Sequence, residues 1–476
     1  MPKRTPRPRF PTYSSAVLTT ATLPRIDTPR SPALLKRLTF LSLPVLAEHV
    51  LHMLVGLTDT YLANHLPTNA APATAAVGTI TYITWFIGLA VGAVGTGSMA
   101  IIARATGARH RRLANSVCGQ SVTAAVLLGV TLGAAVFALA PQLAAMAQLS
   151  ATAQPLAVSY MRMLSVALPF TTLMFIANAC LRGAGDTLTP AIAMIVVDIV
   201  NVVFSVALVY GRFGLPQMGF QGIAAGTMIA YFVGGCLQFG VLVHGRAGVR
   251  LHLHRLRPHW LTMKRILRIG LPSGMESLLS WLANFAVVIV VNKMDRTSVA
   301  AAAHINAVRL ESVSYLGGFA VATAAAALVG QSLGAGDPRR ARRAAYLAYV
   351  LGGGWMVVMG LSFIFFPRFY ASLISEKPDV IGLTAMCLWM TGFIQCGFAG
   401  ALVFGGSLRG AGDTAGLMKR TLTSILGVRL PGVLIVGWWL NLGLAAVWIV
   451  LCAELMVRGA LVYHRFWQGR WANVRV

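Results

Sequence analysis

Twelve apolar runs separated by short polar turns occupy most of the chain. Their spans are 38–64, 74–100, 115–140, 157–180, 190–211, 220–244, 265–292, 299–330, 344–366, 381–406, 419–438 and 443–463. Each reaches the roughly 20 residues that a helix needs to cross ~30 Å of hydrocarbon. The pattern predicts an all-α polytopic membrane protein with twelve transmembrane helices. Small residues recur inside several runs, as from Gly88 to Gly97, and suit close helix packing.

Composition narrows the class further. Of 476 residues, 57% are hydrophobic and 11% are charged, whereas a soluble domain carries about 25% charged residues. Too few polar side chains are present to coat a soluble particle of this size. That excludes a cytosolic enzyme, a secreted disulfide scaffold and a disordered chain. Lys+Arg is 39 and Asp+Glu is 13, for a net charge of +26. The placement of the basic residues distinguishes nucleic-acid binding from membrane topology. With the N-terminus inside, thirty of them fall in the leader, the even-numbered loops and the C-terminal tail. Five fall in the odd-numbered loops and four inside segments. This split follows the positive-inside rule. It predicts cytoplasmic termini and explains the charge without nucleic acid. Residues 1–37 read as a Pro-rich, basic, disordered cytosolic tail without the apolar core of a secretory signal. The six cysteines are scattered, form no CxxC pair, and read as core packing.

The chain also repeats itself. Leu181-Arg182-Gly183-Ala184-Gly185-Asp186-Thr187 recurs 227 residues later as Leu408-Arg409-Gly410-Ala411-Gly412-Asp413-Thr414. Gly107 and Gly334, Arg112 and Arg339, and Ala114 and Ala341 keep that offset. Leu43-Pro44 and Leu271-Pro272 stand 228 apart, which also pairs Glu48 with Glu276. The expected organisation is an N-terminal lobe over 38–245, a cytoplasmic linker over 246–264, a C-terminal lobe over 265–465 and a cytosolic tail over 466–476. Six helices per lobe make the halves parallel repeats. Transporters built this way hold substrate between the halves and rock one against the other.

The duplicated strings follow the fourth and tenth segments. Gly183 and Gly410 permit a tight backbone there. Asp186 or Thr187 can cap the next helix, with Pro190 in its first turn, and Asp413 and Thr414 repeat the arrangement. An intramembrane aspartyl protease would instead need Asp186 and Asp413 close together within the membrane. Each follows an arginine at a helix end, which favours the structural reading. The basic turns Gly107 to Arg112 and Gly334 to Arg343 read as topogenic loops.

Ionisable residues inside the apolar runs are functional candidates, because a charge at the bilayer centre costs ~2.5–3.5 kcal/mol on insertion scales. The first segment holds Glu48, His49, His52 and Asp59; the fifth holds Asp198; the seventh holds Glu276; the eighth holds His304, Arg309 and Glu311. Arg309 with Glu311, and Glu454 with Arg458, read as ion pairs. Asp59 has no basic neighbour within a helical turn or two. Desolvation favours the protonated form of such a carboxylate, so it can gain and lose a proton. His49 and His52 are placed to relay protons.

These residues resemble the multidrug and toxic compound extrusion (MATE) family. The paired Leu-Arg-Gly-Ala-Gly-Asp-Thr strings, Gly56-Leu57-Thr58-Asp59-Thr60, the stretch from Leu328 to Asp337 and the stretch from Gly222 to Thr227 carry the resemblance, over about residues 38–465. It implies two six-helix lobes and export of bulky, often cationic drugs in exchange for H+ or Na+. It maps the first-helix coupling aspartate on Asp59 and the helix-bending proline on Pro44. Family members often carry Asn and Asp four residues apart in helix 5; here Asn201 is followed by Ser205, and Asp198 is the candidate substitute. Thr227 matches a helix 6 hydroxyl near the same cluster. The NorM-like branch carries a Glu in helix 7 and an Asp in helix 10; those positions are Ser280 and Phe398 here, with Glu276 one turn from the first as the C-lobe candidate. The resemblance is therefore DinF-like, with H+ coupling through the N-terminal lobe and Na+ as the alternative ion.

The expected protein is a multi-pass transporter of the plasma membrane (the inner membrane if bacterial) and not an enzyme. It acts as a monomer and uses no cofactor beyond the coupling ion. Its partners are small organic molecules and the bilayer. Its 19 methionines suit a promiscuous pocket. A lipid-linked precursor flippase of the wider superfamily is the rival transporter reading, and it would show a more basic central cavity.

Overall fold

The computed structural model describes residues 31–294, 298–474 and 476. Among them, twelve helices are long and apolar enough to cross a membrane. They are α1 (Ser31–Asn64), α2 (Ala70–Gly107), α3 (Arg111–Met146), α4 (Ala153–Ala184), α5 (Leu188–Tyr210), α6 (Phe220–His244), α7 (Trp260–Met294), α8 (Val299–Gly334), α9 (Pro338–Phe365), α10 (Pro378–Ala411), α11 (Thr414–Trp439) and α12 (Leu444–Trp467). Most run beyond the apolar spans, because a helix continues into its polar flanks as long as its backbone bonds are made. The leader expected over 1–37 lies outside the described residues as far as position 30, and 31–37 are already helical. Two features were not legible: the short helix Pro367–Ser372, and the π-helical stretches Ile425–Arg429 and Leu434–Trp439 within α11.

The packing of one half is repeated in the other. In the first half α4 packs on α2, α3 and α6, and α1 packs on α5. In the second half α10 packs on α8, α9 and α12, and α7 packs on α11. The two six-helix lobes are thus parallel repeats. Pro44 in α1 and Pro272 in α7 occupy equivalent places, each inside a continuous helix and each removing one backbone hydrogen bond.

The duplicated strings are helix ends. Gly185 and Gly412 take φ of 94° and 82° as the left-handed caps of α4 and α10. Asp186 N–H donates to Leu181 O at 2.9 Å, and Asp413 N–H to Leu408 O at 2.9 Å, which is the Schellman pattern. The sequence leads us to expect Gly183 and Gly410 to make the turn, and they do not. They sit inside the helices, where the backbone of a neighbour passes: Met99 O lies 2.7 Å from where a Gly183 Cβ would stand, and Ala326 O would overlap one at Gly410.

Each string also supplies an arginine to a buried carboxylate. Arg182 lies 3.0 Å from Glu48, and Arg409 lies 3.0 Å from Glu276. Asn178 donates to Glu48 at 2.9 Å and Thr421 to Glu276 at 3.0 Å. The first helix of each lobe is therefore tied to the end of its fourth.

Between the lobes, α2 packs on α7 and α8, and α1 on α8. A Cβ at Gly334 would overlap Arg104 O, and one at Gly107 would overlap Gln331 O, so the crossing of α2 and α8 at the basic-loop end requires glycine on both sides. The side chains of these two residues complete a near-symmetric latch. Arg104 donates to Ala411 O at 2.8 Å and to Val474 O at 2.7 Å. Gln331 donates to Gly183 O at 3.1 Å and accepts from Arg37 at 2.9 Å. Each lobe thus caps the helix end of the other, since the last carbonyls of a helix lack internal partners.

Two outcomes are expected. Arg182→Ala leaves Glu48 buried and unpaired and should lower stability by about 3–5 kcal/mol, with a smaller loss for Arg409→Ala, whose side chain is more exposed; thermal unfolding in detergent reads both. Replacing Arg104 and Gln331 together by Ala should lengthen and broaden the distance between spin labels at Ala108 and Ala335, measured by double electron–electron resonance. An unchanged distribution would mean that the latch does not hold the lobes together.

Candidate functional site

Asp59 lies near the end of α1 opposite the basic loops. It is buried, 5% exposed, among α4, α5 and α6. Tyr160 O–H donates to its Oδ2 at 2.7 Å. Thr227 Oγ1 stands 3.0 Å from Oδ1 and 2.9 Å from Oδ2. Asn201 Nδ2 is 2.9 Å from Thr227 Oγ1, 3.4 Å from Ser205 Oγ and 3.5 Å from Asp59 Oδ1. No ion pair reaches Asp59 among the described residues. The walls are apolar, with Val55, Val197 and Ala230 buried on one side and Leu62, Ala63 and Ile223 on the other.

Local packing brings these groups together. A Cβ at Gly222 would come within 2.6 Å of Leu208 C, and one at Gly226 within 2.5 Å of Ser205 N. Glycine at both positions lets α6 lie against α5, so Thr227 meets Asn201. Tyr160 makes the shortest contact to Asp59, and its sequence context does not mark it. A lone tyrosine in an apolar run resembles any core aromatic; its hydroxyl, which needs a partner when buried, was the available signal.

The remaining sequence candidates fall elsewhere. Asp198 does not join the cluster: it is half-buried one turn before Asn201, with Oδ2 unpartnered. Glu276 is not a free carboxylate, because Arg409 and Thr421 hold it at 3.0 Å. His49 and His52 form no relay to Asp59. His49 meets the ring of Phe319 and His52 that of Phe175; even the nearer lies about 10 Å along the helix from Asp59. Of the cysteines expected in the core, Cys236 and Cys396 are exposed and the other four are buried.

Asp186 caps α5 through Thr189 N–H at 3.0 Å and also receives Thr189 Oγ1 and Arg246. Burial opposes its charge, but those hydrogen bonds and Arg246 outweigh it and hold the carboxyl below the usual carboxylate range. Thr187 is buried at the start of the same helix. Asp413 caps no helix by its side chain; it takes Arg465 at 2.8 and 3.1 Å. Thr414 donates to Ile269 O at 2.7 Å. Two aspartates committed to separate arginines do not form a proteolytic dyad. Among the described residues, no group of three or more His, Cys, Asp or Glu could hold a metal ion.

Known proteins share this architecture. The MatE family profile matches residues 44–207 and 272–451, once in each half. The probable multidrug resistance protein NorM of Thermotoga maritima is 28% identical over 443 residues, covering 92% of this chain and 94% of that protein. The fold is similar to the Vibrio cholerae MATE transporter VcmN in the bent form, at 17% identity and TM-score 0.84, covering 93% of this chain and 98% of that one. It is equally similar to a MATE structure in the bent conformation, at 22% identity and TM-score 0.83, covering 93% and 97%. With the profile spanning both lobes and the twelve-helix fold shared throughout, the chain belongs to the MatE family of membrane transporters and is not an enzyme.

Proposed function

We propose that this chain is an H+-coupled antiporter that exports bulky, often cationic organic compounds by alternating access, with Asp59 as the coupling carboxylate. One observation carries the reading: a buried carboxylate meets three hydrogen-bond donors and no cation. An ionised Asp59 is tolerable because Tyr160, Thr227 and Asn201 donate to it. A protonated Asp59 is tolerable because the walls are apolar. Both states are therefore accessible, as a carrier requires.

The proton changes the local hydrogen bonding. Protonated Asp59 becomes a donor, and Asn201 Oδ1 is buried without a partner. Rotation of the Asn201 amide offers that oxygen to the acid proton and withdraws Nδ2. Ser205 and Thr227 follow the amide, so the α5–α6 contact responds to the proton. Loss of the negative charge also removes the attraction for a cationic substrate, which leaves outward. Reorientation carries the proton inward, and the restored carboxylate favours reloading. The proton and the substrate need only differ in affinity for the two states. The latch at the basic-loop end must open during that step.

Several observations favour H+ over Na+, and thus the DinF-like reading. In the second lobe Ser280 and Phe398 replace acidic residues, and Glu276 is held by Arg409. Basic loops at the latched end support a plasma-membrane orientation with that end and both termini in the cytoplasm. One chain supplies every group at Asp59, which fits a monomer as the transporting unit.

In proteoliposomes loaded with tetraphenylphosphonium, an imposed ΔpH should drive efflux and a Na+ gradient should not. Asp59→Asn should abolish ΔpH-driven efflux at unchanged expression and folding. Normal efflux by that variant would remove Asp59 from the mechanism, and efflux driven by Na+ alone would reverse the choice of ion.

A further inference from the structure

The C-terminal lobe holds a second buried carboxylate without a partner. Glu311 of α8 is 8% exposed, and its Oε1 is buried with no hydrogen bond. The ion pair expected with Arg309 does not form, because Arg309 is exposed on another face of α8. No basic group lies within ion-pairing distance of Glu311 among the described residues. Among the described residues, the ionisable groups within electrostatic range of Glu311 are Arg429 of α11, Cys387 of α10, Cys452 of α12 and Tyr315 one turn along α8. Two turns back on the same helix, His304 is buried with Nδ1 unpartnered and meets the edge of Trp448. Among the described residues, Arg429 is therefore the one cation within electrostatic range of Glu311.

Arg429 has a surplus of commitments. It donates to Glu454 Oε2 through Nε at 3.1 Å and Nη2 at 2.6 Å, and through Nη1 to Asn284 Oδ1 of α7. Glu454 does not depend on it alone, since Arg458 Nε and Ser424 Oγ also donate, at 2.8 and 2.6 Å. Two guanidinium groups thus face one carboxylate, and the buried group carries one positive charge unless Glu311 is ionised. Arg429 also ends the π-helical stretch Ile425–Arg429, a winding often found at functional sites. The repeat gives the same position a second meaning. The offset of 228 puts Arg429 on Asn201 and Val287 on Asp59, and that of 227 puts Cys387 on Tyr160. Where the first lobe brings a carboxylate from its first helix to an amide, the second brings one from α8 toward a guanidinium.

We propose that Glu311 is a second proton-binding carboxylate, in the C-terminal lobe, and that Arg429 is the counterion that turns to it on ionisation. With the proton on Glu311, Arg429 stays on Glu454 and Asn284. When the proton leaves, Glu311 draws Arg429 away from Asn284 and loosens α7 from α11, while Arg458 and Ser424 retain Glu454. The inference rests on the H+-coupled reading, and it gives each lobe one proton.

Infrared pH-difference spectra of the full chain in lipid nanodiscs test it without any substrate. The wild type should lose, among its carboxylic-acid C=O bands, one for Asp59 and one for Glu311 as pH rises. Glu311→Gln should remove one of them and leave the band that Asp59→Asn removes. A Glu311→Gln spectrum that superimposes on wild type at every pH would overturn the proposal. A band lost in Glu311→Gln but none in Asp59→Asn would instead defeat the Asp59 reading and leave Glu311 standing. Should the Gln variant not fold, Glu311→Asp keeps the carboxyl and should shift the same band; an unshifted spectrum would likewise overturn the assignment.

Discussion

A carboxyl group removed from water and given no cation is the constraint around which the first lobe is arranged. Its charged form must be held by donors and its neutral form must fit an apolar wall. Asp59 meets both conditions through Tyr160, Thr227 and Asn201, each on a different helix. Those helices can converge only because Gly222 and Gly226 let α6 lie against α5. Five other acidic residues show the contrast. Glu48, Asp186, Glu276, Asp413 and Glu454 each have an arginine within 3.0 Å, and these pairs fasten helices to one another. Fixed charges build the lobes, and Asp59 and Glu311 are left without a partner cation among the described residues.

Duplication explains how one chain does both. Glu48 with Arg182 and Glu276 with Arg409 are the same ion pair made twice. Arg104 and Gln331 stand 227 apart and reach across the lobe boundary to the helix end of the opposite lobe. These structural contacts have kept the symmetry. The buried polar sites have not: Asp59 has Val287 as its counterpart, and Asn201 has Arg429. The lobes match in how their helices are fastened and differ in what their interiors bury.

Much of this is legible in the sequence. Twelve spans follow from hydropathy, and the two lobes follow from a string repeated at offset 227. Asp59 stands out because no basic residue lies within a helical turn or two of it. What the sequence hid was long-range contact. Nothing local shows that Glu48 meets Arg182, 134 residues away, or that Tyr160 rather than Asp198 reaches Asp59. Arg309 and Glu311 are adjacent enough in sequence to suggest a pair, but residues two apart on a helix do not face each other. The π-helical winding of α11 has no signature in hydropathy, because it adds a residue without changing the apolar run.

The central claim is that the coupling proton and a cationic substrate compete for one buried carboxylate. Counting protons released when tetraphenylphosphonium binds the purified protein in weakly buffered solution tests it most directly. The account requires binding to release protons, and release through Asp59 to vanish when that residue is Asn. Saturable binding without any change in bound protons, in the wild type across the neutral pH range, would contradict it.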